Sequence, residues 1–414
     1  MKDKDRVTKI TACRICKEKT LQQFLSFGPM PLANGFLREE QLDLHEPSYP
    51  LDVCFCPTCG LVQLRHAVAP EILFKEYAYL TSASEPARLH FAKLAEEVIQ
   101  KFSVPPNSLV IDIGSNDGTL LQSFQRYGMR SLGIEPASNV AEVAVSRGID
   151  TVNDFFSERL AHRLRSERVP AKIITATNLF AHVHDLDSLL RGVNYLLSED
   201  GIFVIEVPYL IDMLEKLEFD TIYHEHLSYF SVRPLVTILT RFNMNIVEVE
   251  RISSAGGSIR IYIEKSAPGL SSTVNSLLKL EREKGIESIE VYQKFSQEIH
   301  HIKETLLEIL HSLKARGASI AGYGAAAKGN ILLNCCEIGA DVLDYIVDTT
   351  PFKQGSYSPG MHIPICPESR FREEPPDYAL LLAWNYADAI IAKEAEYHRA
   401  GGRFIVPIPK PRLV

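Results

Sequence analysis

Four of the eight cysteines stand in two Cys-x-x-Cys pairs, Cys13 with Cys16 and Cys56 with Cys59. The two thiols of such a pair can face one ion, and two pairs complete the tetrahedral four-thiolate shell that zinc favours. Because four thiolates leave no position for water, this predicts a structural rather than a catalytic zinc. The long interval between the pairs, and Cys54 beside the second one, leave unligated thiols or a redox pair open.

A glycine-rich turn follows the apolar run Leu109–Ile113, which carries Asp112 near its end. Gly114 and Gly118 let the backbone approach a ligand closely, and Glu135 ends the next apolar run, where a carboxylate can accept both ribose hydroxyls. The spacing Asp-x-Gly-x-x-x-Gly lacks the Gly-x-Gly-x-x-Gly of dinucleotide folds and favours S-adenosylmethionine over NAD. Further candidate contacts to this cofactor are Tyr77, Asn116, Asn153, Asp154, Phe155 and Thr177.

A second cluster with chemical potential is the run Tyr223-His-Glu-His226. It follows the apolar run 201–207, and loops beyond the carboxyl ends of parallel strands form the ligand crevice of such sheets. Phenol, carboxylate and imidazole together offer acid–base chemistry, and Asn178 and His182 are expected to reach the same crevice. Adjacent residues rarely converge on one ion, which disfavours a metal site here. A plain surface loop stays open.

Another glycine-rich turn, Gly322-Tyr-Gly-Ala-Ala-Ala-Lys-Gly329, precedes a predicted helix. Backbone amides at a helix start, together with Lys328, are typical of a pyrophosphate cradle. Gly324 shapes this turn, and Asp348 ends the next strand, where it can contact a ribose or a base. An unliganded packing lobe or a remnant dinucleotide fold remains an alternative.

The elements that must position these residues alternate between strand and helix, which predicts an α/β chain with a doubly wound parallel sheet. We expect a small zinc-binding domain at 1–70, a central Rossmann-like class I methyltransferase domain at 71–268 and a smaller Rossmann-like α/β domain at 269–414. Long helical segments are predicted at 71–104 and 270–315. Strands are predicted at 109–113, 131–134, 172–176, 201–207, 245–250, 258–264, 318–322, 342–347, 378–383 and 404–407.

Composition limits the partners. Lysine and arginine number 44 against 52 acidic residues, giving a net charge of −8, and no long basic run is present to neutralise nucleic acid. No stretch reaches the roughly 18 uncharged apolar residues of a membrane helix, and the charged start lacks the apolar core of a signal peptide. We therefore expect a cytoplasmic protein with reduced thiols, no nucleic acid and no membrane.

Taken in their order, these motifs resemble a known family, the sugar C-methyltransferases that add a branching methyl to C3 of nucleotide-linked 4-keto deoxysugars. The resemblance covers nearly the whole chain and includes Gly256-Gly-Ser-Ile-Arg260. It implies a structural zinc, S-adenosylmethionine in the middle domain, and a sugar nucleotide, usually dTDP-linked, between the middle and carboxy-terminal lobes.

The same resemblance implies roles for single residues. His226 is the expected base, Tyr223 and Glu225 lie beside the sugar, and Asn178 and His182 match polar positions near the keto group. Residues assigned to the substrate are Arg260, Gly324, Lys328 and Asp348. Two alternatives stay open: an O- or N-methyltransferase acting on another small molecule, and a zinc-containing binding protein with a non-catalytic methyltransferase fold.

Overall fold

The structure is a computed structural model that describes residues 6–75, 77, 79–265 and 269–414. Within those ranges the strands form a two-stranded ribbon and sheets of four, seven and six strands. None of the helices in the described ranges combines the length and the apolar composition needed to cross a bilayer.

The amino-terminal lobe is built on an antiparallel sheet. In its strand Ser48–Phe55, alternate residues are buried because one face of the sheet forms the core of the lobe. The elements are β1 (Val7–Lys9), β2 (Gln22–Pro31), β3 (Ser48–Phe55), β4 (Val62–Leu64), β5 (His66–Val68) and the short helix α1 (Pro70–Leu73). Strands β2, β3 and β4 are neighbours in that order, and β1 pairs with β5.

The helix predicted over 71–104 is interrupted: residues 74, 75, 77, 79, 80 and 84 are not helical, and Thr81–Ala83 forms only a 3-10 turn, so the prediction is wrong at these described residues. The second helix, α2 (Glu85–Lys101), begins only after Ser84, whose hydroxyl accepts from the amide of Ala87. In the segment before it, the backbone of Tyr77 forms hydrogen bonds with the side chain of Asn139. The backbone amide of Thr81 donates to the side-chain oxygen of Asn116. These side chains offer the backbone partners that compete with helix formation.

The middle lobe contains the predicted doubly wound sheet. Its elements are β6 (Leu109–Ile113), α3 (Thr119–Gln125), β7 (Arg130–Ile134), α4 (Ser138–Ser146), β8 (Thr151–Val152), α5 (Glu158–Glu167), β9 (Ala171–Thr177), α6 (Leu186–Leu196), β10 (Leu197–Pro208), α7 (Leu210–Glu215), β11 (Ser228–Tyr229), α8 (Val232–Thr240), β12 (Met244–Ile252) and β13 (Ser258–Lys265). The strand order is β12-β13-β10-β9-β6-β7-β8, with β13 antiparallel to both neighbours. Every residue of β6 is buried, as expected when helices cover both faces. The Rossmann-like class I architecture is confirmed.

One short strand of the middle segment belongs to the other lobe. Strand β11 pairs antiparallel with β4 and extends the amino-terminal sheet to the order β11-β4-β3-β2. The amide of Leu64 also donates to the carbonyl of Leu227 at 3.0 Å. The loop that carries the histidine cluster is thereby attached to the cysteine-bearing lobe.

The carboxy-terminal lobe is the predicted smaller α/β unit. Its elements are α9 (Ser272–Glu283), α10 (Ile289–Lys314), β14 (Ile320–Tyr323), α11 (Ala327–Cys336), β15 (Ile346–Asp348), β16 (Ile365–Pro367), α12 (Ser369–Glu373), β17 (Tyr378–Leu381), α13 (Ala387–Lys393), α14 (Ala395–Arg399), β18 (Arg403–Val406) and β19 (Arg412–Leu413). The order is β16-β15-β14-β17-β18-β19, parallel except for β19. Helix α10 packs on β2, where the ring of Tyr292 lies 5.1 Å from that of Phe24, so the outer lobes touch.

Candidate functional site

The four predicted zinc ligands meet at one point. The Sγ atoms of Cys13 and Cys59 are 3.5 Å apart, as are those of Cys16 and Cys56, and all four lie within 4.8 Å of one another. A tetrahedral shell with Zn–S bonds of about 2.3 Å separates its sulfurs by roughly 3.8 Å, so the cluster fits zinc. Cys54 lies outside it, where its sulfur accepts from Arg65.

The glycine turn after β6 has a left-handed backbone at Gly114 and Gly118, with φ of 75° and 76°. A Cβ at position 114 would lie 2.9 Å from the Leu179 side chain, and one at 118 would lie 2.7 Å from Ile149. The sequence suggested that these glycines make room for a ligand. The structure shows that they make room for two apolar side chains, which fix the shape of the turn.

The two acidic residues of the turn are held in place. Both carboxylate oxygens of Glu135 accept backbone amides, one from Asn116 and one from Ala137, each at 2.9 Å. The buried Asp112 carboxyl accepts the hydroxyl of Thr175 at 2.6 Å, and burial is the main cause that raises its pKa to about 7. These carboxyl groups fit a nucleoside, because oriented carboxylates at the strand tips can accept hydrogen bonds from ribose hydroxyls.

Tyr77 connects this turn with the histidine loop. Its backbone is fixed by two hydrogen bonds to the side chain of Asn139. Burial raises the pKa of its phenol well above the ordinary value, and the charges of Glu225 and Glu135 add to that effect. The phenol of Tyr77 therefore lies within range of the charges of both clusters, and its contact with the cofactor stays a prediction.

The residues predicted to meet adenine lie next to the same turn. The amide of Asn153 donates to the carbonyls of Glu135 and Pro136, so it supports the loop backbone. Asp154 and Phe155 are partly exposed, and Phe155 has its amide bonded to the Asp154 carboxylate. Their contact with adenine stays a prediction.

His226 has a hydrogen-bond partner among the described residues for only one of its ring nitrogens. Its Nδ1 lies 2.7 Å from the carbonyl oxygen of Thr221, and because a carbonyl only accepts, Nδ1 carries the proton and Nε2 keeps its lone pair. The ring lies 4.0 Å from that of Tyr223 and 5.0 Å from that of His182. Burial is the main cause that lowers the pKa of His226 to about 4, and the charge of Lys328 contributes to this lowering. The imidazole is therefore neutral at physiological pH.

His226 lies at the same edge of the sheet as Gly114. Leu179 contacts Gly114 and leads directly into the short helix that ends at His182, the neighbour of His226. Asn178 is exposed at the tip of β9, and its backbone amide donates to the backbone carbonyl of Glu206 on β10. The structure thus brings the predicted base and the predicted cofactor turn together.

The amino-terminal lobe contacts the histidine loop through side chains. Glu225 is buried, and its Oε1 accepts from the amide nitrogen of Asn34 at 2.6 Å, while its Oε2 has no partner among the described residues. Burial raises the pKa of Glu225 to about 7. His224 turns away from the site and bonds to the carbonyl of Tyr49 at 3.0 Å.

The carboxy-terminal lobe contacts the start of the same loop. Lys328 donates to Glu218 at 2.8 Å, and the indole nitrogen of Trp384 donates to Asp220 at 2.5 Å. Burial raises the pKa of Asp220 to about 6, and the charge of Lys328 opposes the rise. The sequence analysis missed Asn34, Asp220 and Trp384, because no local spacing marks a contact between distant segments.

Two residues assigned to the substrate have other partners. The buried guanidinium of Arg260 donates to Glu206 and to Glu97, both at 2.6 Å, so its charge is already balanced inside the sheet. The Asp348 carboxylate accepts the amide of Ala325 at 2.7 Å and supports the second glycine turn. These bonds hold both side chains in place, and contact of Arg260 or Asp348 with the substrate stays a prediction.

Comparisons with known proteins cover all three lobes. Residues 13–74 match a family model described as "Putative zinc binding domain", 87–249 match "Methyltransferase domain", and 253–409 match "C-methyltransferase C-terminal domain". The C-methyltransferase NovU of Streptomyces niveus is 37% identical over 412 residues, which is 99% of this chain and 98% of that protein.

Solved structures match at lower identity. A magnesium protoporphyrin IX methyltransferase of Synechocystis with bound S-adenosylmethionine is 10% identical, with a TM-score of 0.33 over 42% of this chain and 79% of that one. An S-adenosylmethionine-dependent methyltransferase of Clostridium acetobutylicum is 11% identical, with a TM-score of 0.35 over 43% and 91%.

Proposed function

Because the chain belongs to the S-adenosylmethionine-dependent C-methyltransferases with an amino-terminal zinc-binding domain, we propose that it methylates C3 of a nucleotide-linked 4-keto deoxysugar. The nucleotide is dTDP in this proposal, and the product serves branched deoxysugar synthesis. The observation that carries the proposal is the free Nε2 of His226 at the edge of the sheet that also holds Gly114.

The chemistry begins with a carbon acid. A ketone at C4 acidifies the hydrogen on C3, and His226 presents a neutral imidazole to remove it. Burial makes the resulting imidazolium costly in isolation, but the reaction forms an enolate beside it. In a site of low dielectric the attraction between these two charges is strong, so the pair forms together.

The enolate oxygen needs donors that stay protonated. Burial, with the charge of Glu225 adding to it, raises the pKa of Tyr223 well above the ordinary value and keeps its hydroxyl as a donor. Burial lowers the pKa of His182 well below its usual value, so that ring is neutral and carries one N–H. Either group can stabilise the developing oxyanion, and Asn178 lies nearby at the strand tip.

S-adenosylmethionine supplies an electrophilic methyl group to the C3 carbanion. The chain contributes the turn at Gly114 and the carboxylate of Glu135 to hold the nucleoside, and Tyr77 between that site and the sugar. Placing the two carbons in line accounts for up to roughly 7 to 11 kcal/mol of the barrier. The cluster of four thiolates would hold zinc as a structural ion, because four sulfur ligands leave no position for water or substrate.

The carboxy-terminal lobe is proposed to hold the diphosphate. Helix α11 begins at Ala327 beside the second glycine turn, and Lys328 lies in its first turn, so the helix start and a cation are available for a diphosphate. Lys328 also lies close enough to His226 to affect its pKa. A diphosphate held there would bring the attached sugar to the base.

The test uses the purified zinc-loaded protein with dTDP-4-keto sugars in deuterated water. The wild type should exchange the C3 hydrogen without a methyl donor and form a C3-methylated product with one. His226→Asn should lose both activities while still binding S-adenosylmethionine in calorimetry. The matched control, His300→Asn, changes an exposed histidine on α10 and should keep both.

Other outcomes identify the alternatives. Methylation without any C3 exchange would mean transfer to oxygen or nitrogen. Failure of the wild type to bind S-adenosylmethionine would indicate a binding protein with a methyltransferase fold. Wild-type exchange in the His226→Asn protein would refute the assigned base.

A further inference from the structure

A loop of the cysteine-bearing lobe reaches into the site. It follows β2 and turns at Gly35, whose amide donates to the carbonyl of Leu32 at 2.9 Å. The carboxy-terminal lobe fixes it from the other side, because the buried Asn330 donates to the carbonyl of Ala33 at 2.7 Å. The side chain of Asn34 is presented between these two fixed points.

Asn34 contacts a buried carboxyl group of the site. Its Nδ2 lies 2.6 Å from Oε1 of Glu225, a residue that is only 5% exposed. No lysine or arginine makes an ion pair with Glu225 in the part of the chain that the structure describes. An amide donor favours the charged form of a carboxyl, so Asn34 counteracts the burial that favours the neutral form.

We propose that Asn34 is a positioning residue for the proposed reaction: its amide orients Glu225 as a carboxylate whose second oxygen accepts a polar hydrogen of the sugar. The inference rests on the proposed function, which supplies the sugar. The unpartnered Oε2 motivates it, because a buried carboxylate oxygen without a hydrogen bond is costly and is expected to gain a partner when the substrate binds.

Two variants of Asn34 separate donation from packing. Asn34→Ala removes the donor and should lower kcat/KM for the sugar nucleotide about tenfold or more at pH 7, the typical worth of a hydrogen bond to a charged group. Asn34→Asp keeps the shape but places a second carboxyl beside Glu225, so the loss should be larger. If Asn34→Asp were as active as the wild type while Asn34→Ala was impaired, the shape of the side chain and not its donated hydrogen bond would matter. That result would overturn the proposal.

The pH profile gives the second readout. Without the amide, the pKa of Glu225 rises, so Asn34→Ala should recover activity as the pH is raised from 7 to 9. A loss of equal size at both pH values would contradict the proposal. Asn275→Ala, an exposed asparagine on α9, is the control and should match the wild type throughout.

A measurement without methyl transfer keeps the two proposals apart. Infrared difference spectra of the wild type against Glu225→Gln report the protonated carboxyl band of Glu225. The midpoint of its titration should move to higher pH in Asn34→Ala, whichever substrate the enzyme uses. An unmoved midpoint refutes the role of Asn34, whereas a moved midpoint in a protein that methylates no keto sugar refutes only the proposed substrate.

Discussion

Replacing Trp384 by Phe removes one donor from the contact between the carboxy-terminal lobe and the histidine loop. The indole N–H bonds at 2.5 Å to Asp220, which is fully buried and whose other oxygen has no partner among the described residues. Thr221, whose carbonyl orients His226, is the next residue. The variant should therefore loosen the backbone that holds the proposed base.

The size of the effect depends on the charge of Asp220. Burial raises its pKa to about 6, so the folded state binds more protons than the unfolded state between pH ~4 and ~6, and stability falls as the pH rises through that window. Above pH 6 the indole stabilises a buried carboxylate, a bond worth roughly 1.5–3 kcal/mol. Below pH 6 the Asp220 carboxyl is protonated, so the hydrogen bond joins two neutral groups and contributes about 0.5–1.5 kcal/mol.

Hydrogen exchange of the peptide 218–226 measures this locally. Trp384→Phe should speed exchange roughly 10- to 150-fold over the wild type at pH 8, but only about 2- to 10-fold at pH 5. Tyr386→Phe, on an exposed neighbour in the same short helix, should change neither rate. An equal ratio at both pH values, or a ratio below twofold at pH 8, would refute the reasoning.

Three further outcomes are expected. In Glu225→Gln, which removes the carboxyl whose pKa is raised to about 7, the remaining rate of C3 exchange should show no acid limb near pH 6.5, because the pKa of His226 is lowered to about 4. Adding Lys328→Met removes a cation that lowers the pKa of His226, so its limb should move to higher pH in the pH–rate profile. Removal of zinc by a chelator should speed amide exchange in β11 by about tenfold or more, measured by mass spectrometry, since metal binding supplies much of the folding energy of such lobes. Thr175→Val removes the hydroxyl that donates to the buried Asp112, and calorimetry should show S-adenosylmethionine binding weakened by about tenfold.

Local patterns in the sequence were enough for much of the fold. The spacing of Cys13, Cys16, Cys56 and Cys59 depends only on two tight turns, and the four thiols meet as predicted. The alternation of apolar runs with helices predicted the parallel sheet, because periodicity reports which faces are buried. Periodicity wrongly predicted a continuous helix through the segment before α2, because side chains from other loops supply hydrogen bonds to the backbone of that segment.

Contacts between lobes could not be predicted in the same way. The bonds from Asn34 to Glu225 and from Trp384 to Asp220 join residues far apart in sequence, and only the docking of three lobes creates them. Arg260 is a similar case. The family resemblance assigned this arginine to the substrate, but no local pattern revealed that the register of β10 and β13 places it opposite Glu206, where the two charges pair.

The assignment of β11 to the amino-terminal sheet has a consequence for biosynthesis. A ribosome delivers β2, β3 and β4 early, but the outer edge of β4 keeps unpaired backbone groups until Ser228 and Tyr229 have emerged. Open edges of this kind recruit strands from other chains. A nascent chain therefore has an open strand edge on β4 until the segment next to His226 has been synthesised and has paired with it.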